Sequence, residues 1–441
     1  MKLLLCSTLI ALLSTISGLP AVAAMVPKRA VLNNGLILLS SQQPALPMVS
    51  IELLIDAGSR HELAEQAGLA NLTARLLTQG TQKRTATQIS EALDFMGASL
   101  STSASEDVAS VSMTLLKKDL APGLELLADI LSRANFPQPE IDRQKQAVTA
   151  SIRARQEDPG AVAATAFAAA LFPKSPYGRH VEGTEASVKA LSQKSLKEFF
   201  SNYYRPNRAI VAVVGDVAEP EIARALNDAL RGWSKGAPAT KPVAPVEIGK
   251  SQTIRIPKDL TQANIVLGHN GLTRGNPDYY AVQVMNYILG GGGFSSRAMD
   301  SIRNERGLAY SVYSYFAAEK SHGSFQFVMQ TKNDTAAEAI RLGTEEMRRM
   351  REQPVSEQEL SDAKDYLIGS FPLRFDTNRK VASFLAQVEY YELGLDYPER
   401  YAELIRRVSR DDVTRVAKQY LRPEQLITVI VGKHAGSAEK Q

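Results

Sequence analysis

Two stretches of the chain share one unusual order of landmarks. Near the middle, Phe199–Val217 (FFSNYYRPNRAIVAVVGDV) runs from a helix-like segment through Tyr204-Arg205-Pro206 into a β-branched strand closed by Gly215. Near the end, Val416–His434 (VAKQYLRPEQLITVIVGKH) takes Tyr420, Arg422 and Pro423 into a strand, Leu426 to Val431, closed by Gly432. Both intervals from proline to glycine are nine positions. A single helix-to-strand junction can recur by chance, but a second match lies upstream in the same order. Ala134–Arg155 (ANFPQPEIDRQKQAVTASIRAR) corresponds to Arg351–Phe371 (REQPVSEQELSDAKDYLIGSF), each a proline, a helix start with acid beside it, and a long amphipathic helix. The chain therefore reads as a duplication.

Each half opens on an apolar run, Val49–Gly58 and Gln262–Gly271. Residues 98–116 and 311–331 alternate apolar and polar with period two, as half-exposed strands do. Long helical patterns follow. The expected architecture is α+β: two homologous domains, each a mixed sheet covered by helices. Lys235–Lys250 (KGAPATKPVAPVEIGK) has no apolar period and reads as the linker between domains 24–234 and 251–441. A 44% hydrophobic fraction supports two packed cores of about 200 residues each.

Residues 1–23 read as an export signal: Lys2, an apolar run from Leu3 to Leu19, and Ala21-Val22-Ala23 before the first mature residue, Ala24. The run is too short and too rich in Ser and Thr to span hydrocarbon comfortably. Such a signal, bacterial in style, predicts a periplasmic protein. The single cysteine, Cys6, falls inside it, which removes disulfides and cysteine-ligated metals from the mature chain. The 51 basic and 47 acidic residues nearly balance, so charge gives no case for nucleic acid or an anionic membrane.

Ala57–Thr85 (AGSRHELAEQAGLANLTARLLTQGTQKRT) resembles the metal-site segment of the insulinase-like, pitrilysin-type zinc metallopeptidases. In that family Gly-Leu-Ala precedes His-x-x-Glu-His on a helix, and Gly-Thr follows. Here Gly68-Leu69-Ala70 and Gly80-Thr81 supply the frame, but the matching positions are Asn71, Ala74 and Arg75. Two histidines four apart would bind Zn²⁺ from one helical face while the glutamate activates water. Asn71 is a poor zinc ligand, Ala74 takes no proton, and Arg75 puts a permanent cation where the dication would sit. The third ligand of the family falls at Ser151. No two of His61, His180, His269, His322 and His434 have ligand spacing. His61 is the least implausible ligand among them and reads as a solvated helix start.

Tyr287–Ser314 (YILGGGGFSSRAMDSIRNERGLAYSVYS) is similar to a signature of the family's second domain, where an arginine and a tyrosine seven positions apart grip peptide beside the zinc. The matches are Arg303 and Tyr310. Singly, they would pass for a surface arginine and a tyrosine packed at a strand start. In the frame of the motif, the resemblance gives them substrate binding through a guanidinium and a phenol. Gly290–Gly293 lacks the Lys-Ser/Thr of a phosphate loop and reads as a close backbone approach. Ser175–Val188 is also similar to a family segment.

The resemblance implies half of a clamshell, in which this chain binds peptide without zinc of its own and a homologous active subunit carries the metal. A metal-free peptide-binding or scaffold protein is the alternative. An independent enzyme would need a Ser-His-Asp set, a cysteine nucleophile or a nucleotide fingerprint, and the mature chain shows none.

Overall fold

The computed structural model describes residues 27–237 and 247–433. The segment read as an export signal, the centre of the linker and His434 lie outside the described residues. Strands β1 (Lys28–Val31), β2 (Ile37–Gln42), β3 (Met48–Ile55), β4 (Ser99–Ala104), β5 (Ala109–Leu116) and β6 (Ala209–Gly215) form the first sheet, in the order β1-β2-β6-β3-β5-β4. Strands β7 (Gln252–Pro257), β8 (Gln262–Asn270), β9 (Ala309–Ala318), β10 (Gly323–Lys332) and β11 (Ile427–Gly432) form the second, in the order β7-β11-β8-β10-β9. Without β1 the two orders are the same. In both, leaving β1 aside, the first and last strands of the half pair parallel, β2 with β6 and β7 with β11, while the remaining neighbours pair antiparallel. This shared path bears out the duplication and the mixed-sheet α+β class.

The apolar runs became central strands because both of their faces are covered. In β3, seven of eight residues are buried. Helices of the same half cover one face of each sheet. On the first sheet, Leu72 and Leu76 of helix Leu69–Leu76 join Ile51, Leu53, Val111 and Met113 in one core. Helix starts follow the sequence signals: Thr85 with Gln88, Ser356 with Glu359 and Ser409 with Asp412 close reciprocal side-chain to backbone caps.

The other face of each sheet is covered by a helix from the opposite half. Helix Pro159–Leu171, from the first half, lays Ala163, Phe167 and Leu171 on Val266, Ile427, Val429 and Val431 of the second sheet. Helix Asn378–Tyr390, from the second half, lays Val381, Ala382, Leu385 and Ala386 on Leu39, Leu54, Ala212 and Val214 of the first. Phe167 is fully buried against Gly268 of β8, where an added Cβ would stand 2.5 Å from the phenylalanine ring and 2.3 Å from the Phe325 carbonyl. Glycine is therefore required for the helix to seat. Polar contacts join the halves as well: the Tyr177 hydroxyl donates to Asp107 at 2.9 Å, lies 2.8 Å from the Ser321 hydroxyl, and its ring packs 3.7 Å from the ring of His322.

Because the halves share these faces, they should unfold as one unit. Phe167→Ala is expected to cost about 3–5 kcal/mol, and Gly268→Ala about 1–3 kcal/mol through overpacking. Calorimetry checks this: one transition shifted to lower temperature is expected in both variants, and two separated transitions would contradict a shared core.

Candidate functional site

The frame predicted for a metal site is present, and its interior is occupied by other interactions. Gly68, at φ 98°, turns the chain into helix Leu69–Leu76 with a left-handed backbone that favours glycine. An added Cβ there would meet the Glu182 carbonyl at 2.7 Å. The buried Glu62 carboxylate accepts the backbone N–H groups of Gly68 and Ala70 and so anchors the first turn. Burial pushes the Glu62 carboxyl up to about 7, against the pull of those N–H groups and of Arg179.

Asn71, Ala74 and Arg75 lie on this helix beside the long helix Gln138–Glu157, which carries Ser151. Arg75 Nε donates to Gln144 Oε1 at 3.2 Å, so the guanidinium bridges the two helices. The Asn71 Oδ1 is buried without a hydrogen-bond partner, and Ala74 is fully buried. Ser151 Oγ donates to Glu182 Oε1 at 2.9 Å, and Arg155 forms an ion pair with the same carboxylate. Burial alone would raise Glu182, but the Ser151 hydroxyl and the Arg155 guanidinium outweigh it and hold the carboxyl below its usual range. His180 Nδ1 accepts the Glu182 backbone N–H at 3.2 Å, and burial, then Arg155, lowers its pKa. These residues do not fit a zinc ion: a fixed cation, an amide and a hydroxyl already committed to a carboxylate stand at the ligand positions. Among the described residues no group of three His, Cys, Asp or Glu side chains is placed to hold a metal.

His61 differs from its reading as a solvated helix start. It ends the 3-10 turn Ser59–His61, packs on the Tyr203 ring at 4.4 Å, and shares Asp56 Oδ1 at 2.7 Å with Arg60. Arg208 holds the other oxygen of the same carboxylate at 2.6 Å. Asp56 gathers these groups because it directly follows the buried strand β3, where an ionised carboxylate needs partners.

The second candidate pair is brought together and presented. Helix Tyr279–Asn286 runs on into a π-helical turn, Tyr287–Gly291, and a second π-helical turn, Met299–Asn304, carries Arg303. Gly290 allows the first turn to abut β9, since a Cβ there would stand 2.5 Å from Ser314 Oγ. Asn286 locks the contact by donating to the Ser314 carbonyl at 3.1 Å and accepting from its hydroxyl at 2.8 Å. The glycine run thus serves the close approach expected of it. Gly307, at φ 62°, donates its N–H to the Arg303 carbonyl at 2.9 Å, ending the turn and starting the approach to β9.

On β9, Ser311 faces Gln330 and Ala309 faces Thr331, which leaves Tyr310 as the extra residue of a β-bulge. The bulge shifts parity: Ala309, Val312, Ser314 and Phe316 are buried, while Tyr310, Tyr313 and Tyr315 are exposed on the other face. Tyr310 is 74% exposed, so it is not a packed strand-start tyrosine. The Arg303 guanidinium carbon lies 5.5 Å from the Tyr310 ring centroid and 4.9 Å from that of Phe294, itself 71% exposed. Arg303 has no ion pair among the described residues. A half-buried guanidinium between two open aromatic faces can hold a carbonyl or carboxylate, and the phenol beside it can donate a hydrogen bond.

Comparison with known proteins gives the family. Residues 37–185 match the profile described as insulinase (peptidase family M16), and residues 190–367 match the one described as the peptidase M16 inactive domain. The chain belongs to the peptidase M16 family. It is 28% identical over 412 residues to an uncharacterized zinc protease of Streptomyces coelicolor, covering 91% of this chain and 89% of that protein. It is 27% identical over 387 residues to the non-peptidase homolog YmxG of Helicobacter pylori, covering 88% and 89%. A crystal structure described as a peptidase M16 inactive domain from Pseudomonas fluorescens superposes with a TM-score of 0.88 at 26% identity, covering 95% of this chain and all of that one. Among the described residues no helix is long and apolar enough to cross a membrane.

The local interactions set the terms for restoring a metal. Asn71→His, Ala74→Glu, Arg75→His and Ser151→Glu together should recover zinc binding, provided that Glu182 is also changed to Gln so that it does not repel the new carboxylate. Elemental analysis of the folded variants checks this: less than a tenth of an equivalent is expected in the parent on the order-of-magnitude reasoning that histidine and carboxylate ligands dominate such sites. A folded five-fold variant that binds none would show that the helix faces are misassigned.

Proposed function

We propose that this chain is the non-catalytic, substrate-binding subunit of a heteromeric zinc metallopeptidase of its family, and that it supplies Arg303 and Tyr310 to peptide held by an active partner. The observation that carries this reading is the bulge at Tyr310, which turns the phenol out of the sheet beside an arginine that has no counter-charge among the described residues. A structural role would favour burying the ring or pairing the guanidinium. Meanwhile Arg75, Asn71 and Ser151 stand where a peptidase of this family would need its zinc ligands. Binding without cleavage fits that combination, and the name of the Helicobacter relative, a non-peptidase homolog, is in keeping with it. The zinc of the assembly belongs to the partner in this reading.

An export signal over residues 1–23 would place the complex in the periplasm. Protein released by osmotic shock should begin at Ala24, which N-terminal mass spectrometry reads directly; an intact Met1 in the cytoplasmic fraction would contradict it.

Mixing the chain with an active homologue and measuring peptide cleavage tests the role of the pair. Tyr310→Phe removes one hydroxyl and should lower turnover by up to roughly a hundredfold, by analogy with a single oxyanion donor. Arg303→Ala should raise KM as well, since it removes a charge-assisted contact to the peptide. Sizing must show complex formation unchanged. If both variants support full cleavage, the reading moves to a metal-free peptide-binding or scaffold protein.

A further inference from the structure

A second polar site lies in the C-terminal half, away from the zinc frame. A cavity of about 400 Å³ opens between the start of helix Tyr279–Asn286, the end of β9 at Ala318, the 3-10 turn Phe371–Arg374 and helix Asn378–Tyr390. Its charged lining is cationic: Arg274, Arg374 and Lys380. Arg274 is only 9% exposed. Its Nη2 donates to the Tyr397 hydroxyl at 2.9 Å, and its guanidinium carbon lies 3.8 Å from the centroid of the Tyr279 ring. No carboxylate forms an ion pair with it among the described residues.

That is an unusual place for a charge. Burying a cation without a counter-ion carries a large desolvation cost, and aromatic faces offset only part of it. Arg374, at the exposed rim, also lacks an ion pair among the described residues, and its guanidinium carbon lies 5.6 Å from the Phe371 ring centroid. Lys380 alone has an acidic partner, Asp376 at 2.9 Å. The nearby Glu319 carboxylate accepts the Tyr391 hydroxyl at 2.7 Å and borders the neighbouring cavity rather than this one. Three cations thus converge with one carboxylate at the rim. Tyr279, Tyr391, Gln387 and Ser383 add neutral hydrogen-bonding groups to the wall.

We propose that this cavity binds a small multivalent oxyanion, with Arg274 at its base and Arg374 and Lys380 at its mouth holding phosphate or carboxylate oxygens. A guanidinium presents two parallel N–H groups that match either oxyanion, and a site closed to water on one side strengthens each contact. The volume falls within the usual range for small-molecule sites. Ligand binding here does not depend on Arg303 and Tyr310 or on any peptidase partner.

Calorimetric titration of the full mature chain with pyrophosphate and, separately, citrate tests the site, at about 0.15 M salt so that diffuse surface attraction is screened. Saturable one-to-one binding of either probe is expected. Pyrophosphate alone would assign the site to phosphoryl groups, citrate alone to polycarboxylates, and both to the shared oxyanion chemistry; each outcome supports the proposal. Arg374→Gln with Lys380→Gln, both at the exposed rim and compatible with folding, should weaken binding by roughly tenfold or more. Arg274→Lys keeps the charge and loses the fork, and should weaken it similarly in a variant whose melting curve remains cooperative. No binding of either probe at millimolar concentration, or titrations unchanged by the rim substitutions, would overturn the proposal.

Discussion

The exchange of helices between the two halves is the constraint on which the rest of the structure depends. Each sheet has two apolar faces, and the helices of its own half cover only one. Helix Pro159–Leu171 and helix Asn378–Tyr390 cross over to cover the other. Burying a phenylalanine or leucine fully is worth about 1.5–3 kcal/mol, so each crossing helix contributes several such terms to a domain other than its own. The zinc frame inherits its position from this: its helix is pinned between the first sheet and helix Gln138–Glu157, whose continuation is the helix that crosses.

Much of this was legible in the chain. The paired landmarks ending in Gly215 and Gly432 announced the duplication, and the period-two segments became β4, β5, β9 and β10 near the expected limits. The crossing was not legible, because an apolar stripe says that a helix is covered and not which sheet covers it. Helix Pro159–Leu171 is nearly all apolar or small on every side, which blurs even the direction of its stripe. Gly268, lodged inside a central strand, is the trace that the crossing leaves in the sequence of the second sheet.

The candidate sites divide in the same way. Asn71, Ala74, Arg75 and Ser151 could be placed from the frame around them, but the partners that fill the interior could not. Gln144, Arg155, His180 and Glu182 reach it from two other segments, and spacing along the chain does not register such convergence. At Tyr310 the signal was present in the order Ala309-Tyr310-Ser311-Val312, where two residues separate buried positions that strict alternation would separate by one. Arg274 gave no local sign of its burial: Tyr279 stands only five positions on, but the Tyr397 hydroxyl that it meets comes from a distant helix.

The bulge on β9 also bears on how such a surface can change over time. Side-chain parity along a strand is set by residue count, and one residue more lies on β9 than on β10 between their last two pairings, so Tyr310 faces outward although it stands two positions before the buried Val312. Substitution at neighbouring positions leaves that count untouched, and loss of Ser311 would only close the bulge with Ala309 inward and Tyr310 outward, whereas loss of one residue between Val312 and Phe316 would reverse the facing of one part of β9 against the other. The presented aromatic row is therefore tolerant of drift in sequence and intolerant of drift in length.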